Sequence, residues 1–315
     1  FQIHIVGRDA ELNFLQNRYD EVCQNFPKII CIKGKQGFGK TKLVESFKEN
    51  IYDDKANFIS FNCSINSKNV PYAPFIGLID EYFKKICKPE NYEKFVKKFG
   101  NRLTLLYNLL PALTTYFSDF PLYFPAIKEK DMKNALFELI SELFNEIGNS
   151  EERLIIFIDD IHFSDNDSLE LLNYISKNLK NTKVMIIFVA RTSEETEIFL
   201  NNLKEFCTFF YLIEVKAIIK EALPEFVNKM IGQEITFEDA FYSIIYYNSI
   251  GSPLFIIENI KALYDTGILY NEDYTWKVHY DRLRSFRFEN DISNLLLKRL
   301  HSLEEKENEI LTYAS

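Results

Sequence analysis

Apolar residues recur along this chain with two different periods, and their alternation predicts its elements. In Arg8–Gln24, Leu12, Leu15, Tyr19 and Val22 fall on one helical face. Lys28–Lys33 then carries Ile29, Ile30, Cys31 and Ile32 without a break, a run of buried-strand length. Gly34–Gly39 interrupts it, and Lys40–Asn50 is helical again. Asn57–Cys63 predicts a second strand through Phe58, Ile59 and Phe61. Ser64–Ser150 carries no strand signal. Helical patterns cover Phe75–Cys87, Tyr92–Leu110 and Met132–Ile147, punctuated by Pro111, Pro121 and Pro125. Strands return at Leu154–Ile158, Val184–Val189 and Phe209–Val215, with an amphipathic helix at Ser168–Leu179 between the first two. Continuous apolar strands separated by helices predict a parallel sheet covered on both faces.

Beyond Val215 the pattern turns helical: Ile218–Ile231, Phe237–Tyr247 and Leu254–Leu263, then a hairpin in Leu269–Val278 around Asn271–Asp273. Helices at Ile292–Leu300 and Glu304–Ala314 finish the chain, the last of them running to its end as if a domain were cut there. The 315 residues exceed what one core usually serves, so a large domain and a smaller one are expected. The first residue is Phe1 rather than Met, which points to a piece of a longer protein.

Composition narrows the classes. Hydrophobic residues make up 47% and charged residues 26%, which excludes a disordered chain, a collagen or a coiled-coil rod. The longest apolar run, Val184–Ala190, is far short of the roughly 20 residues a membrane helix needs. No basic-then-apolar leader opens the chain. The net charge of −9 argues against general attraction to nucleic-acid phosphate. Five cysteines without CxxC spacing read as reduced, partly buried thiols of a cytoplasmic protein, and the four histidines lack metal-ligand spacing.

The chemistry concentrates in three places. Gly34-Lys35-Gln36-Gly37-Phe38-Gly39-Lys40-Thr41 fits G-x-x-x-x-G-K-[ST] between a buried strand and a helix. Glycines let the backbone curl so that N–H groups point at phosphates, and the helix start adds its positive end. Lys40 is the candidate for the β- and γ-phosphates and Thr41 for a Mg²⁺ ion. Gly34, Gly37, Phe38, Gly39, Lys40, Thr41 and Lys42 form the candidate phosphate cradle. The second place is Arg153–Asp160, an apolar strand ending in two carboxylates where open α/β sheets bind ligands. Asp159 is the candidate Mg²⁺ ligand, and Asp160 the candidate base for an attacking water. The third is Arg191, directly after the strand Val184–Ala190: if that strand neighbours the phosphate loop in the sheet it is the candidate to sense the γ-phosphate, and otherwise it is an exposed loop arginine. Further on, Gly251-Ser252-Pro253 reads as a helix start.

Together these residues resemble the STAND class of P-loop ATPases within the AAA-like group, and more narrowly the modules fused to bacterial kinases, nucleotide cyclases and large LuxR-type regulators. Val6-Gly7-Arg8-Asp9-Ala10-Glu11-Leu12 is similar to their "VGRExEL" opening. Ile158–Asp165 resembles "DDLHWAD", with Phe163 and Ser164 in place of Trp and Ala. Ala190-Arg191 resembles the sensor-1 arginine, and Gly251-Ser252-Pro253 the "GNP" or GxP motif of the helical lid. Asn294–Ala314 looks like the opening of a winged-helix region.

The resemblance implies a P-loop core of sheet order 5-1-4-3-2 over residues 1–215, with a helical insertion at 64–150. It implies an all-α lid over 216–285 and a truncated winged-helix start over 286–315. It implies ATP or ADP with Mg²⁺, and Val6, Gly7, Arg8 and Pro253 near the nucleotide. It further implies a switch, closed with ADP and open to assembly with ATP, acting on effector or sensor domains of the same chain. Asp160 stands where many AAA relatives place Glu, one methylene longer. Two other readings compete. One is a DNA-directed ATPase resembling origin-recognition initiators, favoured by Lys84, Lys85, Lys88, Lys94, Lys97 and Lys98 and by Arg282, Arg284 and Arg287 but diluted by intervening acids. The other is a nucleotide-binding scaffold without catalysis.

Overall fold

The computed structural model describes residues 5–51, 56–87, 89–117, 128–149 and 153–289. The helices expected at Ile292–Leu300 and Glu304–Ala314, with the winged-helix start they imply, lie outside the described residues. The chain divides into two compact units. The larger holds Asp9–Lys35 and Lys40–Val215, and the smaller holds residues 1–8, Gln36–Gly39 and 216–315.

In the larger unit α1 (Asp9–Cys23) leads into β1 (Lys28–Lys33), α2 (Lys40–Asn50) and β2 (Ala56–Asn62). The inserted region contributes α3 (Ala73–Glu81), α4 (Pro89–Phe99), α5 (Thr104–Tyr107), α6 (Leu113–Tyr116) and α7 (Glu129–Gly148). Then come β3 (Arg153–Asp159), α8 (Asn166–Asn178), β4 (Val184–Ala190), α9 (Glu194–Phe206) and β5 (Phe210–Glu214). The five strands form one parallel sheet in the order β2-β3-β4-β1-β5, which is the expected order 5-1-4-3-2 read from the other edge.

The central strands explain their own position. Every residue of β4 is buried, and β1 and β3 are buried at all but one end residue. Such runs need cover on both faces, whereas β2 and β5 are half-exposed edges. Lys33 pairs with Ala190 and Ile158 with Phe188, so β1, β4 and β3 end side by side. The loop after β1, the carboxylates after β3 and Arg191 after β4 therefore leave from one edge of the sheet.

Differences from the expected elements have local causes. The helix expected over Phe75–Cys87 loses its α-helical spacing at Tyr82–Ile86, one turn of i→i+5 bonding. There Phe83 is fully buried, with its ring edge-on to Phe95 (5.4 Å) and Phe117 (5.1 Å). The widened turn thus aims an aromatic anchor into the insertion's own core. The helix expected over Tyr92–Leu110 stops at Phe99 because Gly100 takes φ +51°. Helix α9 was not read in the sequence. Its signal is Ser193, whose hydroxyl accepts from the Thr196 N–H (3.2 Å) as an N-cap, ahead of buried Leu200 and Leu203.

The smaller unit packs α10 (Leu223–Ile231), α11 (Asp239–Ser249), α12 (Pro253–Asp265), the hairpin β6 (Leu269–Glu272) and β7 (Thr275–Val278), and α13 (Tyr280–Ser285). Pro224 sits in the first turn of α10 and places the helix start five residues later than periodicity suggests. The hairpin turns on Asp273 and Tyr274, both at positive φ, the backbone that suits the twist of a two-residue turn. Val6 is buried in this unit's core with Ile218, Leu223, Phe241 and Ile260. Between α11 and α12 the chain turns through two successive left-handed residues, Ile250 (φ +51°) and Gly251 (φ +67°). A Cβ on Gly251 would lie 2.3 Å from the Ile218 carbonyl oxygen, so both the φ and the close approach require glycine there.

Candidate functional site

In the larger unit, Lys40 opens α2 at the end of the glycine-rich loop and is only 7% exposed. Its Nζ donates to the carbonyls of Gly34 and Lys35, each at 3.0 Å. An ammonium has three N–H donors, so one stays free for a phosphate oxygen. Burial pushes the Lys40 amine below its ordinary value, the carboxylates of Asp160 and Asp159 pull it back up, and Arg191 adds a smaller downward push. These four charges therefore act on one another, and the fold has collected them at one sheet edge. Lys42 stands apart: its side chain pairs with Glu45 at 3.1 Å on the exposed side of α2.

Thr41 and Asp159 are joined directly. The Thr41 hydroxyl donates to Asp159 Oδ2 at 2.8 Å, linking the start of α2 to the end of β3. Asp159 Oδ1 accepts the N–H of Asp160 at 2.9 Å. Asp159 is buried, and burial raises its carboxyl above the ordinary range despite the Thr41 hydrogen bond. A hydroxyl and a carboxylate side by side are the hard oxygen donors that Mg²⁺ takes, and a buried charge without full compensation suits a cation. The donor set therefore fits the ion.

That imbalance has a measurable consequence. Asp159→Asn preserves both hydrogen bonds, because the amide oxygen can accept from Asp160 and the amide nitrogen can donate to the Thr41 hydroxyl. It removes the buried charge. A raised carboxyl pKa means that Asp159 supports the fold while protonated and loses that support as pH rises through its folded value. At neutral pH, Asp159→Asn is expected to stabilise the nucleotide-free protein by about 1 kcal/mol, about 2–4 °C in Tm by calorimetry, with the gain vanishing in acid. A lower Tm at neutral pH would show that attraction to Lys40 outweighs burial.

Asp160 adopts the left-handed conformation (φ +50°, ψ +45°), held there by its N–H bond to Asp159. Aspartate is among the residues that enter this region most readily, and the turn lifts the carboxylate out of strand direction. His162 and Phe163 follow on a single short turn, their rings 4.2 Å apart. The Arg191 guanidinium lies over the Phe163 ring at 5.5 Å, a cation–π contact that Phe supports in place of Trp. Burial lowers the His162 imidazole below its ordinary value, Asp160 opposes this, and Arg191 and Lys40 reinforce it. His162 belongs to this cluster although sequence reading gave it no role. Its position on the turn after the carboxylates was the available signal.

In the smaller unit, Gly37 is at φ +80°, and its carbonyl accepts the Leu254 N–H (3.2 Å) and the Ser252 hydroxyl (3.3 Å). A Cβ there would sit 2.9 Å from Ser252 Oγ and 3.0 Å from Leu254 Cβ. Arg8 is buried, and its guanidinium donates to the carbonyls of Phe38 (3.4 Å) and Lys216. Pro253 supplies the first turn of α12 next to these contacts. Arg8, Phe38, Gly37 and the Gly251–Pro253 segment are therefore one connected group. In the sequence Leu254 reads only as a helix-start residue, and Ser252 as part of that start and of the segment resembling the GxP motif.

Comparison with known proteins bears on the family and the fold. The family profile described as "AAA ATPase domain" matches residues 4–187. Among curated proteins, the peroxide stress-activated histidine kinase mak3 of Schizosaccharomyces pombe is 20% identical over 96% of this chain, which spans only 15% of that protein's length. Among solved structures, CDC6P of Pyrobaculum aerophilum superposes with a TM-score of 0.52 at 13% identity, covering 84% of this chain and 64% of that one. The ORC2 protein of Aeropyrum pernix, solved with ADPNP and ADP, gives 0.53 at 12% identity over 90% of this chain and 69% of that one. At such identities these two show the shared fold. The sequence match extends over more than half of the chain, the sheet order and the loop geometry agree with it, and the chain belongs to the AAA ATPase domain family.

Proposed function

We propose that this chain is a regulatory ATPase switch of the STAND kind, binding ATP with Mg²⁺ and hydrolysing it slowly within a larger signalling or transcription-control protein. The observation that carries the reading is the Thr41–Asp159 hydrogen bond beside the buried Lys40, which joins a phosphate loop to an acidic strand end. Backbone N–H groups of the loop and the start of α2 would cradle the phosphates, and Lys40 would turn its free N–H to them. Thr41 and Asp159 would hold Mg²⁺, whose charge offsets that of the phosphates when bound. Asp160 would orient the attacking water and take its proton, and Arg191 would stabilise the negative charge that develops.

The switch part rests on the smaller unit, where Gly37 in the phosphate loop is bonded to Ser252 and Leu254 at the start of α12. A change in the loop on nucleotide exchange would be felt at that helix. The mak3 relative is by name a stress-activated histidine kinase and is far longer than this chain, which supports a module acting on other domains. In the inserted region Lys85 and Lys98 are engaged by Glu81 and Glu146, which dilutes the basic cluster that would favour a DNA-directed role. With two of these lysines paired and a net charge of −9, little salt-dependent DNA binding is expected.

The deciding experiment is to denature the purified protein and identify its nucleotide by chromatography, then to measure binding and single-turnover hydrolysis of ATP with and without Mg²⁺. Stoichiometric ADP, or binding followed by slow Mg²⁺-dependent hydrolysis, supports the switch. ATP binding without any turnover reduces the protein to a scaffold, and no binding removes the reading altogether.

A further inference from the structure

We propose that His162 is a positioning residue for Asp160, donating a hydrogen bond that turns its carboxylate toward the attacking water. The inference rests on the ATPase reading above. His162 Nδ1 lies 3.7 Å from Asp160 Oδ1, just beyond hydrogen-bond length. Both ring nitrogens are buried, and neither has a hydrogen-bond partner. An unmet buried donor is costly, and folded proteins keep few of them without use. Packing alone is an inadequate reason for an imidazole here, since a phenyl ring would fill the space without that cost.

The surroundings give the ring one productive direction. Its face rests on Phe163. Lys40, Lys68 and Arg191 are the cations that act on it, and none of them accepts a hydrogen bond. Asp160 is the carboxylate within reach. His162 also lines a cavity of about 700 Å³, with Asp165, Leu169, Asn173 and Phe199. A neutral imidazole has one N–H, so it can orient Asp160 without transferring a charge.

The need for such a partner follows from Asp160 itself. Its backbone is fixed by the bond to Asp159, while its side chain is 33% exposed and has no hydrogen bond among those of the described residues. It is one methylene shorter than glutamate, so its reach depends on its torsion. A donor on one oxygen would hold the other toward water.

The test compares His162→Ala, His162→Phe and His162→Gln for ATP·Mg²⁺ affinity and single-turnover hydrolysis at saturating ATP. Affinity is expected to stay within about twofold in all three. Hydrolysis is expected to fall about 10–100-fold in the Ala and Phe variants, the range typical of orienting partners, and to recover in Gln, which restores an N–H donor. Wild-type hydrolysis in His162→Phe would show that the ring only fills space and would overturn the proposal. So would equal losses in Phe and Gln. A wild-type protein that binds ATP·Mg²⁺ without hydrolysing it removes this inference and leaves the binding reading standing. Loss of binding in the wild type removes the ATPase reading beneath it.

Discussion

Lys40→Ala is expected to weaken ATP binding by about 10–100-fold while the protein stays folded. The ammonium is buried, and water screens it poorly there. Each charge-assisted hydrogen bond to a phosphate oxygen contributes about 1.5–3 kcal/mol, and a tenfold change in affinity corresponds to about 1.4 kcal/mol. The variant also loses the bonds to the Gly34 and Lys35 carbonyls, which shape the loop before any ligand arrives. Binding measured by titration calorimetry gives the ratio, and circular dichroism confirms the fold. Since burial already lowers the Lys40 amine, wild-type affinity is expected to fall as pH rises through the alkaline range. Lys40→Ala should lack that dependence. An unchanged Kd in Lys40→Ala would remove the lysine from the site.

The second large effect separates binding from chemistry. Asp160→Asn is expected to bind ATP·Mg²⁺ as the wild type does and to lose at least about 100-fold in single-turnover hydrolysis, as when a general base is removed. Asparagine keeps the shape and tolerates the left-handed backbone, and the Asp160 N–H bond to Asp159 is a main-chain donor that the change does not touch. Only the capacity to accept a proton is lost. Full turnover in this variant would assign the water to another group. A matching loss of affinity would mean that the carboxylate serves the ion rather than the water.

Much of this site was legible before the fold. The glycine loop, its lysine and threonine, and the paired aspartates are short contiguous motifs, so local sequence carried them. The strands were legible because β1 and β4 are buried on both faces and leave long apolar runs. The contacts that unite the motifs were not legible. The Thr41–Asp159 bond spans 118 positions, and the bonds of Gly37 to Ser252 and Leu254 span more than 200, distances over which no periodicity speaks. The broken helices of the insertion escaped for another reason. The widened turn at Tyr82–Ile86 is set by where Phe83 must pack, a tertiary demand that overrides local propensity.

The contact at Gly37 has a consequence for how this chain can vary. Leu254 reaches the loop through its own main-chain N–H, and what it reaches is a main-chain oxygen. Leu254→Ala would leave that bond in place. Replacing the Leu254 amide by an ester deletes that N–H and no side chain, and leaves the Ser252 hydroxyl as the other donor to Gly37.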